Sequence, residues 1–228
     1  MNDDRLKSLR SSYDRVADAY VEKIYGELAH KPLDRELLDD FAARLLARSA
    51  SPRGATNPVL DLGCGPGHVS RYLRDRGLDV TGLDLTAGML AHARRLNPDI
   101  PFVQGDMTAL ADAEAAWAGM VAFYSLIHVP RGEMVDALRG LRRVLRDGGL
   151  LFVAFHLGDD DLHVEDLWGA PVSLDFFLYR SAEMEGYLRT AGFAVERVVE
   201  RDPYPDVEYP SRRSYILARK PRPARSAV

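Results

Sequence analysis

Apolar side chains recur at helical spacing in the first fifty residues. From Tyr13 to Tyr20 they stand at i, i+3, i+4 and i+7, which predicts an amphipathic helix over about residues 3–26. A second stripe of this kind predicts a second helix. Its members are Leu33, Leu37, Leu38, Phe41, Leu45 and Leu46. The Ser-, Pro- and Gly-rich residues 49–58 are typical of a linker, so the pattern predicts a helical cap over residues 1–50.

Beyond the linker, short apolar or β-branched runs alternate with helical patterns. Strands are predicted at Val59–Leu62, Asp79–Asp84, Ile100–Val103, Met120–Tyr124 and Leu150–Phe155. Helices are predicted between them at Val69–Asp75, residues 86–96 and Gly132–Arg146, the last of them ended by Asp147, Gly148 and Gly149. Strands and helices that alternate at this spacing indicate parallel βαβ units in an open, doubly wound α/β sheet.

The C-terminal part breaks this alternation. After a predicted helix at Met184–Thr190, two strands at Ala194–Glu200 and Ser214–Ala218 have no helix between them, which indicates an antiparallel hairpin at the sheet edge. We therefore expect a Rossmann-like α/β fold over residues 57–220, with a seven-stranded, mostly parallel sheet whose last strand is antiparallel. The polar, proline-interrupted end, residues 221–228, is expected to be disordered.

Composition excludes several classes of function. The 228-residue chain is 46% hydrophobic and 28% charged, as globular chains are, and its net charge of −4 argues against a nucleic-acid partner. No apolar run approaches the ~18 residues of a membrane helix, and the charged N-terminus is unlike a secretory signal. A single cysteine favours a reducing cytoplasm, and the strong bias toward arginine fits a GC-rich, bacterial genome. We expect a monomer or homodimer.

A glycine-rich turn joins the first predicted strand to the next helix. It contains Asp61, Gly63, Gly65 and Gly67, and glycine allows both a tight turn and the close approach of a ligand to the backbone. In an open α/β sheet such a turn lies at the carboxyl ends of the strands, where ligands bind. The dinucleotide fingerprint would place its third glycine at His68, and the Lys-Ser/Thr ending of a phosphate-binding loop is missing. The turn therefore predicts a nucleotide site without either phosphate motif.

The segment Asp61–Gly67 resembles the first motif of the class I S-adenosylmethionine-dependent methyltransferases that act on small molecules. Further segments resemble later motifs of the family in the same order, so that the likeness spans most of the chain. They are Gly82–Leu90, Gly105–Met107, Phe123–Pro130 and Leu145–Gly149. Tyr13–Tyr20 resembles the family's N-terminal lid helix. The resemblance implies methyl transfer from S-adenosylmethionine to a small-molecule acceptor, with release of S-adenosylhomocysteine.

The resemblance also implies which residues bind the cofactor. They are Tyr13, Tyr20, Asp61, Gly63, Gly65, Gly67, Asp84, Leu85, Met89, Asp106, Met107 and Phe123. Asp84 would hold the ribose hydroxyls, although a helix N-cap is its alternative role and Thr86 is the better cap. Asp106 and the amide of Met107 would bind the adenine, with a turn carboxylate as the alternative for Asp106.

The acceptor site is expected to lie after the fourth and fifth strands. His128 is the candidate general base and His156 a less favoured one, the alternative being a buried histidine bonded to backbone. An insertion at about residues 157–180 would cover the acceptor, or else form a hydrophobic hairpin packed on the sheet. The residues expected to contact the acceptor are Tyr124, His128, Trp168, Phe177, Tyr179 and Arg212.

Other interpretations stay open. The acidic run at residues 156–166 offers carboxylates and imidazoles but is interpreted as a solvated loop, so no metal is expected. A nicotinamide-dependent oxidoreductase is disfavoured by His68. A non-catalytic or repurposed S-adenosylmethionine-binding protein is the main alternative, because fold and cofactor do not by themselves fix function.

Overall fold

The computed structural model describes residues 3–49 and 57–223. Its helices are α1 (Asp3–Ile24), α2 (Pro32–Ser49), α3 (His68–Arg74), α4 (Ala87–Leu96), α5 (Arg131–Val144) and α6 (Ser181–Thr190), with short 3₁₀ turns at Glu27–His30 and Leu126–His128. Its strands are β1 (Pro58–Leu62), β2 (Asp79–Asp84), β3 (Phe102–Gln104), β4 (Trp117–Phe123), β5 (Leu145–His156), β6 (Asp161–Leu167), β7 (Ala170–Phe177), β8 (Ala194–Arg201) and β9 (Arg213–Arg219). Most of the predicted linker (residues 50–56) and of the predicted tail (residues 224–228) lies outside the described residues.

Seven strands form one sheet in the order β3-β2-β1-β4-β5-β9-β8. Pairing is parallel from β3 to β5, and β9 is antiparallel to both of its neighbours. The predicted Rossmann-like fold, with its antiparallel last strand and N-terminal helices, is confirmed. The strand order reverses beside β1, which places a crevice at the carboxyl ends of β1 and β4.

The core lies on both faces of the sheet. On one face, Leu138 and Leu141 of α5 and Met184 of α6 are fully buried against it, and on the other face Phe41 and Leu73 are. The central strands β1, β4 and β5 are covered on both sides, which explains why their sequences are nearly continuous apolar runs. None of the helices in the described part of the chain is long and apolar enough to span a membrane.

Strand β5 is longer than predicted. It begins at Leu145, directly after α5, so the predicted turn at residues 147–149 lies inside the strand. The pairing of β4 with β5 shifts register between Trp117 and Gly119, and Gly148 adopts a positive φ of 74° there. The glycines therefore form an irregularity within a strand pair rather than a turn that ends the helix.

The acidic run predicted as a loop is mostly strand, which corrects that interpretation. β6 and β7 form an antiparallel two-stranded sheet, joined by a turn at Trp168 and Gly169. Along β6 the polar side chains face solvent and the apolar ones are half-buried, an alternation that the dense acidic residues obscure in the sequence. The hairpin packs against α1 through Val172 and Leu174, rather than on the main sheet as the alternative supposed.

Candidate functional site

A cavity lies at the carboxyl ends of β1, β2 and β4, beneath α1. We call it the glycine-loop cavity. It brings together most of the predicted cofactor residues and two of the predicted acceptor residues. Those that line it are Tyr13, Tyr20, Gly63, Gly65, Asp84, Leu85, Met89, Asp106, Met107, Phe123, Tyr124 and His128. The lining also contains Leu6, Leu9, Thr86 and Ser125, which the sequence did not single out as ligand-binding residues.

The glycine turn presents backbone to this cavity. Gly63 and Gly65 have φ values of 67° and 53°, a region that side chains other than glycine rarely adopt. A Cβ at Gly63 would lie 2.5 Å from the Cβ of Ser125, whereas one at Gly65 would meet only a Tyr20 ring carbon at 3.7 Å. Gly63 is therefore needed for both space and conformation, and Gly65 for conformation.

Asp84 ends β2 and holds the turn in place. Its carboxylate accepts hydrogen bonds from the Gly65 N–H at 2.8 Å, and from the N–H and hydroxyl of Thr86 at 2.9 and 2.7 Å. Within the described residues Oδ2 accepts only the Gly65 bond, so this oxygen retains capacity for a ligand donor. Burial raises the pKa of Asp84, although these hydrogen bonds lower it.

Two further polar groups of the lining have bonding capacity left. Oδ1 of Asp106 accepts from the N–H and hydroxyl of Thr108, while no partner of Oδ2 occurs within the described residues. The hydroxyl of Ser125 is buried and likewise has no partner in that part of the chain. A buried polar atom without a partner is unfavourable, so Ser125 indicates where a bound molecule would supply one.

Asp61 and Gly67 lie outside the cavity lining. The Asp61 side chain is buried and accepts a hydrogen bond from the Ser70 hydroxyl at 2.6 Å, and burial raises its pKa to about 6. A Cβ at Gly67 would lie 2.8 Å from the Phe102 ring. Asp61 links β1 to α3 through its hydrogen bond with Ser70, and Gly67 allows the turn to pack closely against Phe102. Both residues therefore stabilise the glycine turn without lining the cavity.

His128 lies between α1 and the β6–β7 hairpin. Its Nδ1 is 2.8 Å from the Asp175 carbonyl, which can only accept, so Nδ1 carries the proton. Burial lowers the pKa of His128 to about 4, although the Asp175 carbonyl raises it. The ring is therefore neutral at pH 7, and Nε2 accepts a 2.7 Å hydrogen bond from the Tyr13 hydroxyl.

A second cavity adjoins the first and shares Tyr13, Tyr20, Phe123 and Tyr124 with it. We call it the aromatic cavity. Two residues predicted for catalysis or acceptor binding, His156 and Trp168, also line it. The charged and polar members of this lining come from separate segments. They are Lys23, Glu27, Lys31, His68, Glu208 and Arg213.

A buried ionic network forms one end of the aromatic cavity. Lys31 Nζ lies 2.6 Å from Glu27 Oε2 and 3.1 Å from Glu208 Oε2, and Arg201 joins Glu208 to the fully buried Asp34. Burial raises the pKa of both glutamates, but His68 and Lys31 lower that of Glu27 to about 2, and Arg201 with its neighbours lowers that of Glu208 to about 2. Both carboxylates are therefore ionised at neutral pH.

His156 is a polar group of the same cavity. Its Nδ1 lies 2.7 Å from the Ser211 hydroxyl, and burial together with the charges of Arg213 and Lys31 lowers its pKa to about 3. The ring is therefore neutral at pH 7, and any proton that it accepted would be held weakly beside two cations.

Three predicted acceptor residues lie away from both linings. Tyr179 is buried and donates to the Val129 carbonyl, while Phe177 is nearly buried beneath the Arg5 guanidinium. Arg212 is exposed and pairs with Glu200 and Asp202 at 3.1 and 3.2 Å.

Comparison with known proteins identifies the family. Residues 59–149, from β1 into β5, match the sequence model of a family described as methyltransferase domain. Residues 59–149 thus form a class I S-adenosylmethionine-dependent methyltransferase domain. Among curated methyltransferases, the malonyl-acyl-carrier-protein O-methyltransferase of Enterobacter lignolyticus is 34% identical over 168 residues, which are 72% of this chain and 59% of that protein. The chain thus spans less than two thirds of that relative's length.

Solved structures share the methyltransferase fold. The 1,6-didemethyltoxoflavin-N1-methyltransferase of Burkholderia thailandensis, solved with its substrate and S-adenosylhomocysteine, superposes with a TM-score of 0.65 and 21% identity over 95% of this chain and 87% of that one. The 4+2 cyclase SpnF superposes with a TM-score of 0.69 and 17% identity, over 95% of this chain and 97% of that one. At these identities the likeness shows the fold alone.

The residues of the glycine-loop cavity fit the cofactor of the methyltransferases. Ser125, whose Cβ packs where a Cβ at Gly63 would lie, has a buried hydroxyl that lacks a partner in the described part of the chain. Asp84 and Asp106 each have an oxygen able to accept a further bond. Acceptors at strand ends suit the hydroxyls and exocyclic amine of a nucleoside, and carboxylates suit a cationic ligand better than a pyrophosphate.

Proposed function

We propose that this protein transfers a methyl group from S-adenosylmethionine to a small-molecule acceptor and releases S-adenosylhomocysteine. The observation that carries the proposal is the pair of adjoining cavities. One has the backbone turn and acids suited to the cofactor, and the other is aromatic and shares a wall of Tyr13, Tyr20, Phe123 and Tyr124 with it. Two reactants bound in adjoining cavities are held close together, as a bimolecular transfer requires.

Cofactor binding is assigned in this proposal to the strand ends. Asp84 would accept from the ribose hydroxyls, Asp106 and the amide of Met107 would bind the adenine, and Ser125 would donate to or accept from the amino-acid part. When bound, S-adenosylmethionine supplies an activated methyl group. Tyr13 and Tyr20 on α1 would exclude water from the reacting atoms, as lid elements do.

His128 is proposed to take up a proton where the acceptor must lose one. Its Nδ1–H is fixed on the Asp175 carbonyl, so Nε2 is the nitrogen able to accept a proton, and Nε2 contacts the hydroxyl of Tyr13, a residue of the shared wall. The low pKa of the ring makes it a weak base at pH 7. We therefore expect alignment of the reactants to contribute more than proton removal. His156 remains a less favoured base for the same reason.

The remaining assignments extend this proposal. Residues 1–50 act as a lid and residues 57–220 as the methyltransferase domain, with the β6–β7 hairpin closing the acceptor site within the insertion at about 157–180. The protein is proposed to be bacterial and cytoplasmic, to act as a monomer or homodimer, and to have no nucleic-acid partner, in keeping with its acidic balance.

A repurposed S-adenosylmethionine-binding protein is the second candidate. The observation that favours it is the low basicity of both histidines, together with the fold that the chain shares with a cyclase. Retained cofactor binding without turnover on any acceptor would identify it.

Calorimetric titration with S-adenosylhomocysteine, and with NADH as the control, tests the proposal. We expect saturable binding of S-adenosylhomocysteine alone, weakened at least tenfold in Asp84→Asn and unchanged in Asp79→Asn, which alters an exposed acid at the start of the same strand. Labelled S-adenosylmethionine then reports methyl transfer to a panel of acceptors. Binding of NADH alone would overturn the assignment.

A further inference from the structure

Aromatic side chains line the second cavity in two rows. One row is carried by α1 and the hairpin turn, where the Tyr20 ring lies 5.7 Å from that of Trp168 and 6.0 Å from that of Tyr13. The other is carried by strand ends and the β8–β9 loop. Its ring centroids are separated by 4.7 Å for Phe123–Tyr124, 5.0 Å for Tyr124–His156 and 6.2 Å for His156–Tyr209. Such walls favour a ligand that is itself aromatic.

Two of these aromatic residues have strained backbones. Tyr124 and Trp168 have φ values of 54° and 57°, which are uncommon for bulky side chains. Tyr124 follows β4 and Trp168 occupies the turn of the β6–β7 hairpin, where asparagine or glycine is ordinary. Trp168 also remains 41% exposed. Strain of this kind clusters at ligand sites, so the cavity's function accounts for aromatic residues at both positions.

At the charged end of the cavity, the carboxylates have all their oxygens engaged. Glu27 accepts from His68 through Oε1 and from Lys31 through Oε2. Glu208 accepts through Oε1 from Arg201 and the Tyr204 N–H, and through Oε2 from Arg201 and Lys31. In the described part of the chain, every carboxylate oxygen of Glu27 and Glu208 therefore already has a partner, and a cationic ligand would have to share it with Lys31, Arg201 or His68.

The cations at this end have donors left. Lys31 has three N–H groups and two carboxylate partners within the described residues. Arg213 is buried, and its Nε is ion-paired with Glu208 Oε2 at 3.1 Å but forms no hydrogen bond within the described residues. His68 Nδ1 is also buried and has no partner among the residues that the structure describes, but it can accept or donate and does not discriminate between ligands. The groups that can still form hydrogen bonds are therefore mainly positively charged N–H donors, which bind anionic oxygens.

We propose that the acceptor is a planar aromatic molecule with an anionic oxygen group, which binds Lys31 and Arg213 at the charged end of the aromatic cavity. This inference rests on the proposed function, since it names the chemical class of its acceptor. The ring system lies among the aromatic side chains, and its opposite edge faces the wall shared with the glycine-loop cavity.

Four probes of similar size test this proposal on the complex with S-adenosylhomocysteine. They are 2-naphthoate, its uncharged analogue 2-naphthamide, the cation 2-(aminomethyl)naphthalene and the aliphatic acid octanoate. Binding of S-adenosylhomocysteine is measured first, so that its absence marks a failure of the proposed function rather than of the acceptor class. We expect 2-naphthoate to bind at least tenfold more tightly than each of the other three.

Variants separate the two parts of the inference. Lys31→Met and Arg213→Met should each reduce the preference for 2-naphthoate over 2-naphthamide at least fivefold, while Arg219→Met, an exposed arginine on the same strand as Arg213, leaves it unchanged. Trp168→Asn avoids the buried network and suits the positive φ, so it should fold even if the other variants do not. It should weaken both naphthalenes by a similar factor and keep their ratio.

Several results would overturn the assignment. If 2-naphthoate and 2-naphthamide bind equally, the acceptor needs no anionic group. If 2-(aminomethyl)naphthalene binds more tightly than 2-naphthoate, the site favours a cation. If octanoate binds as tightly as 2-naphthoate, the acceptor need not be aromatic. Failure of all four to bind a protein that does bind S-adenosylhomocysteine would reject the class as a whole.

Discussion

The two cavities share a wall but are built differently. The glycine-loop cavity consists largely of backbone turns and side chains at the ends of neighbouring strands, and apart from α1 its lining falls between residues 63 and 129. The aromatic cavity is lined by side chains from α1, the 3₁₀ turn before α2, three strand ends, the hairpin and the β8–β9 loop. Backbone geometry thus determines the first, whereas packing of distant segments determines the second.

The largest loss of stability is expected when a charge is removed from the buried ionic network at the end of the aromatic cavity. Asp34→Ala removes a fully buried carboxylate that pairs with Arg201 at 2.8 Å and accepts from Tyr215 at 2.8 Å. Arg201 would keep Glu208 as a partner, but the buried network would then hold the cations Lys31, Arg201 and Arg213 against the carboxylates Glu27 and Glu208. Because one buried positive charge is left without a counter-charge, the free energy of unfolding should fall by about 3–5 kcal/mol. Denaturant titration measures this fall. A fall similar to that of Asp40→Ala, which removes a partly exposed acid of the same helix, would contradict the account.

Two glycine substitutions test whether backbone geometry determines the glycine-loop cavity. Gly63→Ala places a Cβ 2.5 Å from Ser125, and Gly77→Ala has no atom within 4 Å, although both have positive φ. We expect about 1–2 kcal/mol of destabilisation from φ in both variants, and about 1–3 kcal/mol more in Gly63→Ala from overpacking. Only Gly63→Ala should also abolish binding of S-adenosylhomocysteine. Equal behaviour of the two variants would show that space at Gly63 is unimportant.

This difference also explains what the sequence could predict. The residues from Asp61 to Gly67 are contiguous and each performs a local backbone or packing task, so their pattern indicated both the turn and its place in the fold. Lys31, Glu208 and Arg213 meet only after the sheet and cap have packed together, and no short pattern links them. A hairpin within residues 157–180 was predicted only as an alternative, because its turn contains Trp168 instead of a usual turn residue and acidic side chains dominate β6.

Lowering the pH should change the contributions of His156, in the aromatic cavity, and of Asp61, beside the glycine turn, to folding stability in opposite directions. His156, with its pKa lowered to about 3, binds fewer protons when folded than when unfolded, so stability falls as pH decreases from about 6.5 toward 3. Asp61, with its pKa raised to about 6, binds more protons when folded, so its contribution rises as pH decreases from about 6 to 3.8. Denaturant titration across this range should show a shallower fall for His156→Gln and a steeper one for Asp61→Asn. Parallel curves for both variants and the wild type would refute the assignment.

A smaller change tests the wall between the cavities. Tyr13→Phe removes the hydroxyl that donates to His128 Nε2 but keeps the ring that packs on Tyr20. We expect a loss of about 1 kcal/mol in stability and less than a threefold change in affinity for S-adenosylhomocysteine. Tyr25→Phe, whose hydroxyl bonds Asn97 away from both cavities, is the matched control. A larger loss of cofactor affinity in Tyr13→Phe would place the hydroxyl itself in cofactor binding.

The smallest effect is expected at Arg212, which the sequence indicated as an acceptor residue. Its side chain is exposed and its ion pairs lie at the surface, so Arg212→Ala should change stability by no more than about 0.5 kcal/mol. Its affinity for 2-naphthoate, measured by calorimetry, should stay within twofold of wild type. A tenfold loss of affinity for 2-naphthoate would show that Arg212 does bind the acceptor.

Helix α1 gives the two cavities a thermodynamic link. Asp14 accepts from the Gly88 N–H at 2.7 Å on the sheet side, Ser12 accepts from the Ser173 N–H at 2.9 Å on the hairpin side, and Tyr13 and Tyr20 face both cavities. When a ligand in one cavity orders α1, less conformational entropy is lost when a second ligand binds in the other cavity. Cofactor and acceptor should therefore bind with positive cooperativity, and linkage requires that each raise the affinity of the other by the same factor.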